Sequence, residues 1–248
     1  MKRSLIFRLA GYLAAAVVLA VPFARAQTAT MAQAAVAKGG HFVKPEAFEL
    51  ATLLPPPPEP GSLAAQADLE AVLQAQSWRS AEQVTWAKLI ERDSVFNNSL
   101  VLGNWFAKER LPATAAILND LLDDVSAVSE GTKKLHARPR PSQIEPAVQP
   151  CVAVPTSGSY PSGHATRAFV WAGVLAEVFP AERAALFAQA PRVAWSRILA
   201  GVHFPTDDVG GRLLAEAIVT ELKKRPEFLA ALEKIRAEVA PFRVKRAG

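Results

Sequence analysis

Cysteine is nearly absent: Cys151 is the only one in 248 residues. No internal disulfide can form, even where the compartment would allow one. Nothing around Cys151 supports a nucleophilic role, and it reads as an inert or partly buried thiol. Histidine is scarce as well. There are four, and no two are spaced His-x-x-x-His. With no cysteine cluster either, the common zinc patterns are excluded and no metal or other cofactor is expected. Strand-like alternation of apolar and polar residues is missing. After residue 26 no apolar run approaches the roughly twenty residues of a bilayer span.

Charge of one sign is less abundant than the total suggests. The formal net charge is +5, but Lys2, Arg3, Arg8 and Arg25 contribute four cations to a segment without acids, so residues beyond 26 carry only +1. That balance gives no support for binding a nucleic-acid polymer. The same segment has the parts of an export signal. A basic start is followed by an apolar stretch from Leu9 to Pro22 and by Ala24-Arg25-Ala26, an A-x-A cleavage pattern. The expectation is a signal peptide over 1–26, rather than a retained anchor, and a periplasmic mature protein with no membrane span.

The remaining length suits one domain with ample core. Residues 27–61 are expected to form an extended N-terminal segment, flexible to about residue 50. Its Leu53-Leu54-Pro55-Pro56-Pro57-Pro58-Glu59-Pro60-Gly61 run is a polyproline strap against the domain. Residues 62–248 read as a helical domain. Ser62 and Ser80 are placed to cap helices reaching Ala75 and about Glu91. Further helices are expected over 94–108, 113–125, 164–178, 182–200 with a break near Pro191, a stretch from a Thr206 cap to Lys223, and 226–238. Between them, residues 131–161 hold six prolines and read as one long irregular segment of functional character. The fold class is therefore all-α, a single-domain helical bundle.

Several residues suit a phosphate group that is held and then transferred. Phosphoryl transfer depends mainly on positioning and on balancing charge over the equatorial oxygens. Lys133, Arg140 and Arg197 offer a point charge and two planar forks. Pro161-Ser162-Gly163-His164 meets the start of a helix. There Ser162 can cap, Gly163 lets the backbone come close, and free N–H groups attract an anion. His203 and Asp207 stand four apart, so the carboxylate can hold the Nδ1 proton and leave Nε2 as a nucleophile. Spacing alone leaves Asp207 and its neighbour Asp208 interchangeable, one orienting the ring and the other capping. His164 can give a proton to the leaving oxygen and take one from water. His41 and His136 read as structural. One protonated and one free imidazole imply an acidic optimum and a bell-shaped profile.

In order, these residues form Lys133, six residues, Arg140-Pro141; then Pro161-Ser162-Gly163-His164; then Ser196-Arg197, five residues, His203, three residues, Asp207. Eleven fixed positions at about one chance in twenty each do not arise by coincidence. The arrangement resembles the signature of the type 2 phosphatidic acid phosphatase superfamily. Within it, the chain is most similar to the bacterial class A non-specific acid phosphatases, through the Leu-Leu-Pro-Pro-Pro-Pro run, Gly158-Ser159-Tyr160 and the helical last third.

The resemblance implies the all-α fold shared with vanadium haloperoxidases. It implies His203 as nucleophile, Asp207 as its partner and His164 as acid, with Lys133, Arg140, Ser162, Gly163 and Arg197 binding phosphate. It further implies metal-independent hydrolysis of small phosphomonoesters, nucleotides included, and a homodimer or larger homo-oligomer. Ala165 and Ser142 depart from the class A pattern, which has Thr and commonly an aromatic there; Val202 and Phe204-Pro205-Thr206 are uncommon beside the nucleophile. The same cations would also hold vanadate in a haloperoxidase, or phosphate in a non-catalytic binding protein. A lipid phosphatase is disfavoured without membrane spans.

Overall fold

Serine hydroxyls begin the first two long helices. Ser62 Oγ accepts from Ala65 N at 3.2 Å and starts α1 (Leu63–Trp78). Ser80 and Gln83 cap each other's backbone N–H groups and start α2 (Ala81–Glu91). Both starts fall where the sequence places them. The computed structural model describes residues 40–92 and 94–244, and every regular element among them is helical. The expected signal peptide and residues 27–39 lie outside the described residues.

The stretch 94–108 is not one helix. A 3₁₀ turn at Val95–Asn98 and one α-turn at Ser99–Leu102 end at Gly103, whose φ is 97°. That left-handed conformation suits glycine and stops the helix. Beyond it Trp105 stacks on Phe242 at 5.3 Å and Phe106 meets the edge of Phe179 at 6.2 Å.

α3 (Pro112–His136) runs eleven residues past the expected end at 125. Its buried positions Leu118, Leu121, Val125, Val128 and Thr132 continue the helical stripe. Ala137, at φ 44°, closes it by donating to Lys133 O at 2.9 Å. Lys133 therefore stands in the last turn of a helix, not in an irregular loop. The irregular segment begins at Ala137 and includes one helical turn at Pro141–Ile144.

α4 (Gly163–Val178) is the central helix. Ala165, Ala168, Val170, Trp171, Ala172, Val174 and Leu175 are all buried, so it is apolar on nearly every side. It packs most extensively on α5 (Arg183–Leu199) and α6 (Pro205–Leu222). α5 continues through Pro191, where a break was expected. Leu186 and Ala190 before the proline, and Val193 and Ala194 after it, are all buried. Packing on both sides offsets the roughly 3 kcal/mol that an interior proline costs. α7 (Pro226–Val244) completes the set, and its Glu238 carboxylate caps Ala113 N and Thr114 N of α3 at 2.9 and 2.7 Å.

The segment before α1 is docked where flexibility was expected. Backbone N–H groups of Gly40, His41, Phe42 and Val43 all point at the Asp124 carboxylate, at 2.5–3.0 Å. Val43 and Leu54 are buried, and Tyr160 donates its hydroxyl to Pro55 O at 2.6 Å. Among the described residues no helix is long and apolar enough to cross a membrane.

Candidate active site

Three chain segments meet below the N-terminus of α4. Lys133 comes from the end of α3, Arg140 from the loop after it, and His203 from the turn between α5 and α6. The close approach depends on Gly210 and Gly211 in α6. A Cβ on Gly211 would lie 2.7 Å from Ser162 O, and one on Gly210 would lie 2.6 Å from the Tyr160 ring. Across this contact Ser162 N donates to Asp207 O at 2.9 Å.

His203 is buried and held at both nitrogens. Nδ1 faces Asp207 Oδ2 at 3.2 Å, and Nε2 faces Arg140 Nη1 at 3.2 Å. A guanidinium can only donate, so Nε2 must present its lone pair and Nδ1 must carry the proton, given to Asp207. Burial pushes the imidazole down to about 3, with Lys133 and Arg140 adding to that and Asp207 opposing it. The ring is thus neutral across the acid range.

Asp207 also accepts from Phe204 N at 2.8 Å, so one carboxylate caps α6 and orients the ring. The expected cap at Thr206 is two positions late, since Phe204 is the N-cap. Asp208 takes neither role. Its oxygens lack a partner at good hydrogen-bond geometry. Burial pushes its carboxyl well above the ordinary range, and the nearby Ser162 hydroxyl offsets that only in part.

The cations are buried rather than solvated. Arg140 reaches Ser157 O, Gly158 O and Val202 O, at 2.9, 3.2 and 2.7 Å. Burial lowers it to about 10. Lys133 Nζ donates to Gly158 O at 2.8 Å; burial first, then Arg140, bring it down to about 8. Its neighbour Lys134 is exposed. A Cβ on Gly163 would lie 3.9 Å from Lys133 Cε, which places the first motif against the second. Ser162 caps α4 by accepting from Ala165 N. Arg197 donates to Ala87 O and to Ser196 Oγ. Burial is the largest reason the His164 ring lies well below the ordinary value, and the charges of Arg167 and Arg197 add to it. All eight residues singled out in the sequence belong to this neighbourhood.

Three contributors escaped sequence reasoning. Arg138 pairs with Asp207 Oδ1 at 2.7 Å and with Asp68 Oδ2 at 2.7 Å. Ser159 Oγ approaches Asp207 Oδ1 at 3.4 Å. Arg138 lay among the six unspecified positions between Lys133 and Arg140, and no local pattern marks Asp68. Cys151 is half-buried against Ala87, Ala200 and Val202 and forms no disulfide.

The PAP2 superfamily profile matches residues 113–228. The chain is 28% identical over 208 residues to a non-specific acid phosphatase of Providencia stuartii, covering 80% of this chain and 84% of that one. It is 27% identical over 199 residues to a non-specific acid phosphatase of Salmonella typhimurium, covering 75% and 78%. Among solved structures, a bacterial vanadium-dependent iodoperoxidase superposes with a TM-score of 0.56 at 18% identity. The match covers 71% of this chain and 53% of the peroxidase, so the chain spans about half of that protein's length. That likeness is one of fold.

Proposed function

From the match of residues 113–228 to the PAP2 superfamily, we propose that the protein is a periplasmic acid phosphatase hydrolysing small phosphomonoesters through a phosphohistidine. The observation that carries this reading is the buried His203 ring, fixed by Asp207 at Nδ1 and by Arg140 at Nε2. Such a ring is a neutral nucleophile beside fixed positive charge. The likeness to non-specific acid phosphatases over most of the chain supports the substrate class.

In this mechanism Arg140, Arg197, Lys133, Ser162 and the Gly163 N–H hold the phosphoryl oxygens. Arg140 Nη1 passes from Nε2 to a phosphate oxygen as the ester binds. The Nε2 lone pair then attacks phosphorus opposite the ester oxygen. The P–N bond forms as the P–O bond breaks, and His164 gives its proton to the departing alkoxide. A bound phosphate dianion raises the His164 pKa and so favours the protonated ring. Asp207 stabilises the cationic His203 so formed. Water, deprotonated by His164, attacks phosphorus and releases phosphate and the neutral ring.

Export through residues 1–26 and a homodimer or larger assembly are part of the same proposal. N-terminal sequencing of the exported protein and analytical ultracentrifugation check these two points. For the chemistry, the His203→Ala variant should lose turnover of an aryl phosphate, and the acid-quenched phosphoenzyme should vanish with it. Hydrolysis at the original rate by that variant would refute the nucleophile.

A further inference from the structure

The Asp207 carboxylate has more partners than the His203 ring. Its Oδ1 accepts from Arg138 Nη1 at 2.7 Å, and the same Nη1 reaches Thr206 Oγ1 at 2.8 Å. Arg138 Nη2 donates to Asp68 Oδ2 at 2.7 Å. Asp68 in turn accepts from Thr206 N at 3.2 Å and from the Thr206 hydroxyl. The guanidinium lies 4.0 Å over the Phe204 ring. Arg138, Asp68 and Asp207 are 9%, 4% and 0% exposed, so these are desolvated contacts. An exposed ion pair contributes little, whereas a buried charge that loses its partner is costly.

We propose that Arg138, gripped by Asp68 and Thr206, is a positioning residue that fixes the Asp207 carboxylate and through it the Nδ1–H tautomer of His203. The proposal rests on the reading of His203 as nucleophile. It adds a chain of side chains from α1 to the reacting nitrogen. Arg138 does its work at a distance from phosphate, because its guanidinium is committed to Asp68, Thr206 and Asp207. Asp68 balances the charge of Arg138 and ties α1 to the first turn of α6.

The charges around Asp207 make the sign of a test definite. His203 faces it from the α5–α6 turn, Arg138, Lys133 and Arg140 from the end of α3 and the loop beyond, and Asp68 from α1. Asp208 follows it on α6, and Tyr160 and Ser159 approach from the loop before α4. Burial raises the Asp207 carboxyl, but the His203 hydrogen bond, Arg138 and the Phe204 N–H outweigh this and leave it below the ordinary range. Removing the Arg138 charge raises it. Removing the Asp68 charge, with shape retained, lowers it.

The experiment compares the full chain with Arg138→Gln, Arg138→Lys and Asp68→Asn, measuring kcat, KM and the acid limb for an aryl phosphate. Arg138→Gln should lower kcat on the order of tenfold to a hundredfold, the scale seen for partners behind a ligating histidine. KM should change little, and the acid limb should move to higher pH. Arg138→Lys should recover part of kcat. Asp68→Asn should move the acid limb the other way, to lower pH, which general loosening of the site does not do. If Arg138→Gln fails to fold, the opposite displacement in Asp68→Asn decides the matter. Displacement of both limbs to higher pH, or a wild-type kcat and acid limb in Arg138→Gln, overturns the relay alone when the unaltered chain still yields acid-quenched phosphoenzyme. Absence of that phosphoenzyme from the unaltered chain overturns the nucleophile and the relay with it.

Discussion

Two adjacent lysines show how burial separates residues that are chemically identical. Lys133 is buried and bonded to Gly158 O, while Lys134 is exposed. The neighbouring Arg140 and the loss of water lower Lys133 to about 8, so it remains a cation throughout the acid range. Lys133→Ala should cut kcat/KM roughly a hundredfold, the scale of losing one preorganised charge contact, or about 3 kcal/mol. Lys134→Ala should stay within about 0.5 kcal/mol of wild type, as exposed substitutions do. Steady-state kinetics of the two variants on one aryl ester checks both. Motif spacing already distinguished these lysines. It did not distinguish Asp207 from Asp208, because both occupy the first turn of α6 and only the direction of each side chain decides which meets the ring.

At the scale of elements, the α4–α6 contact sets the distance between the turn at Ser162–Gly163 and the His203 ring. Gly211 makes that contact, since a Cβ there would come within 2.8 Å of the Ala165 Cβ as well as 2.7 Å of Ser162 O. The Ser162 carbonyl is backbone and cannot swing away. Gly211→Ala should therefore push α6 off α4, cost about 1–3 kcal/mol, and lower Tm and kcat together. Thermal unfolding and kinetics on the same preparation test the coupling. Helix starts were legible at this scale, since Ser62, Ser80 and Ser162 each carry their own capping hydroxyl. Helix ends were less so. α3 outruns its expected end because Val128, Thr132 and Lys133 remain buried, and its stop at Ala137 carries no glycine or other local signal.

For the whole molecule, Asp208 makes stability depend on pH. Its folded-state pKa is raised by burial. The folded chain therefore holds a proton that the unfolded chain releases at the ordinary aspartate value. That contribution is present at low pH and is lost as pH rises towards the folded pKa. Asp208→Asn removes the titration, so its unfolding free energy relative to wild type should increase with rising pH, by at most about 1.4 kcal/mol per pH unit, and its Tm should rise relative to wild type accordingly. Thermal unfolding of both proteins at several pH values checks it. A constant or shrinking difference contradicts the assignment. The docked segment Gly40–Val43 belongs to this scale too, because its four N–H groups converge on one carboxylate 81–84 positions away. Nothing in a local window announces that pairing.

The sequence by itself determined the helical class, the capping serines and the eight residues gathered around the site, since these follow from periodicity, local capping chemistry and fixed motif spacing. The tertiary structure alone decided which carboxylate faces His203, which side chains lose water, and that Arg138 and Asp68 stand behind Asp207. Side-chain direction and burial arise from contacts between segments far apart in the chain, and the order of residues does not encode them locally.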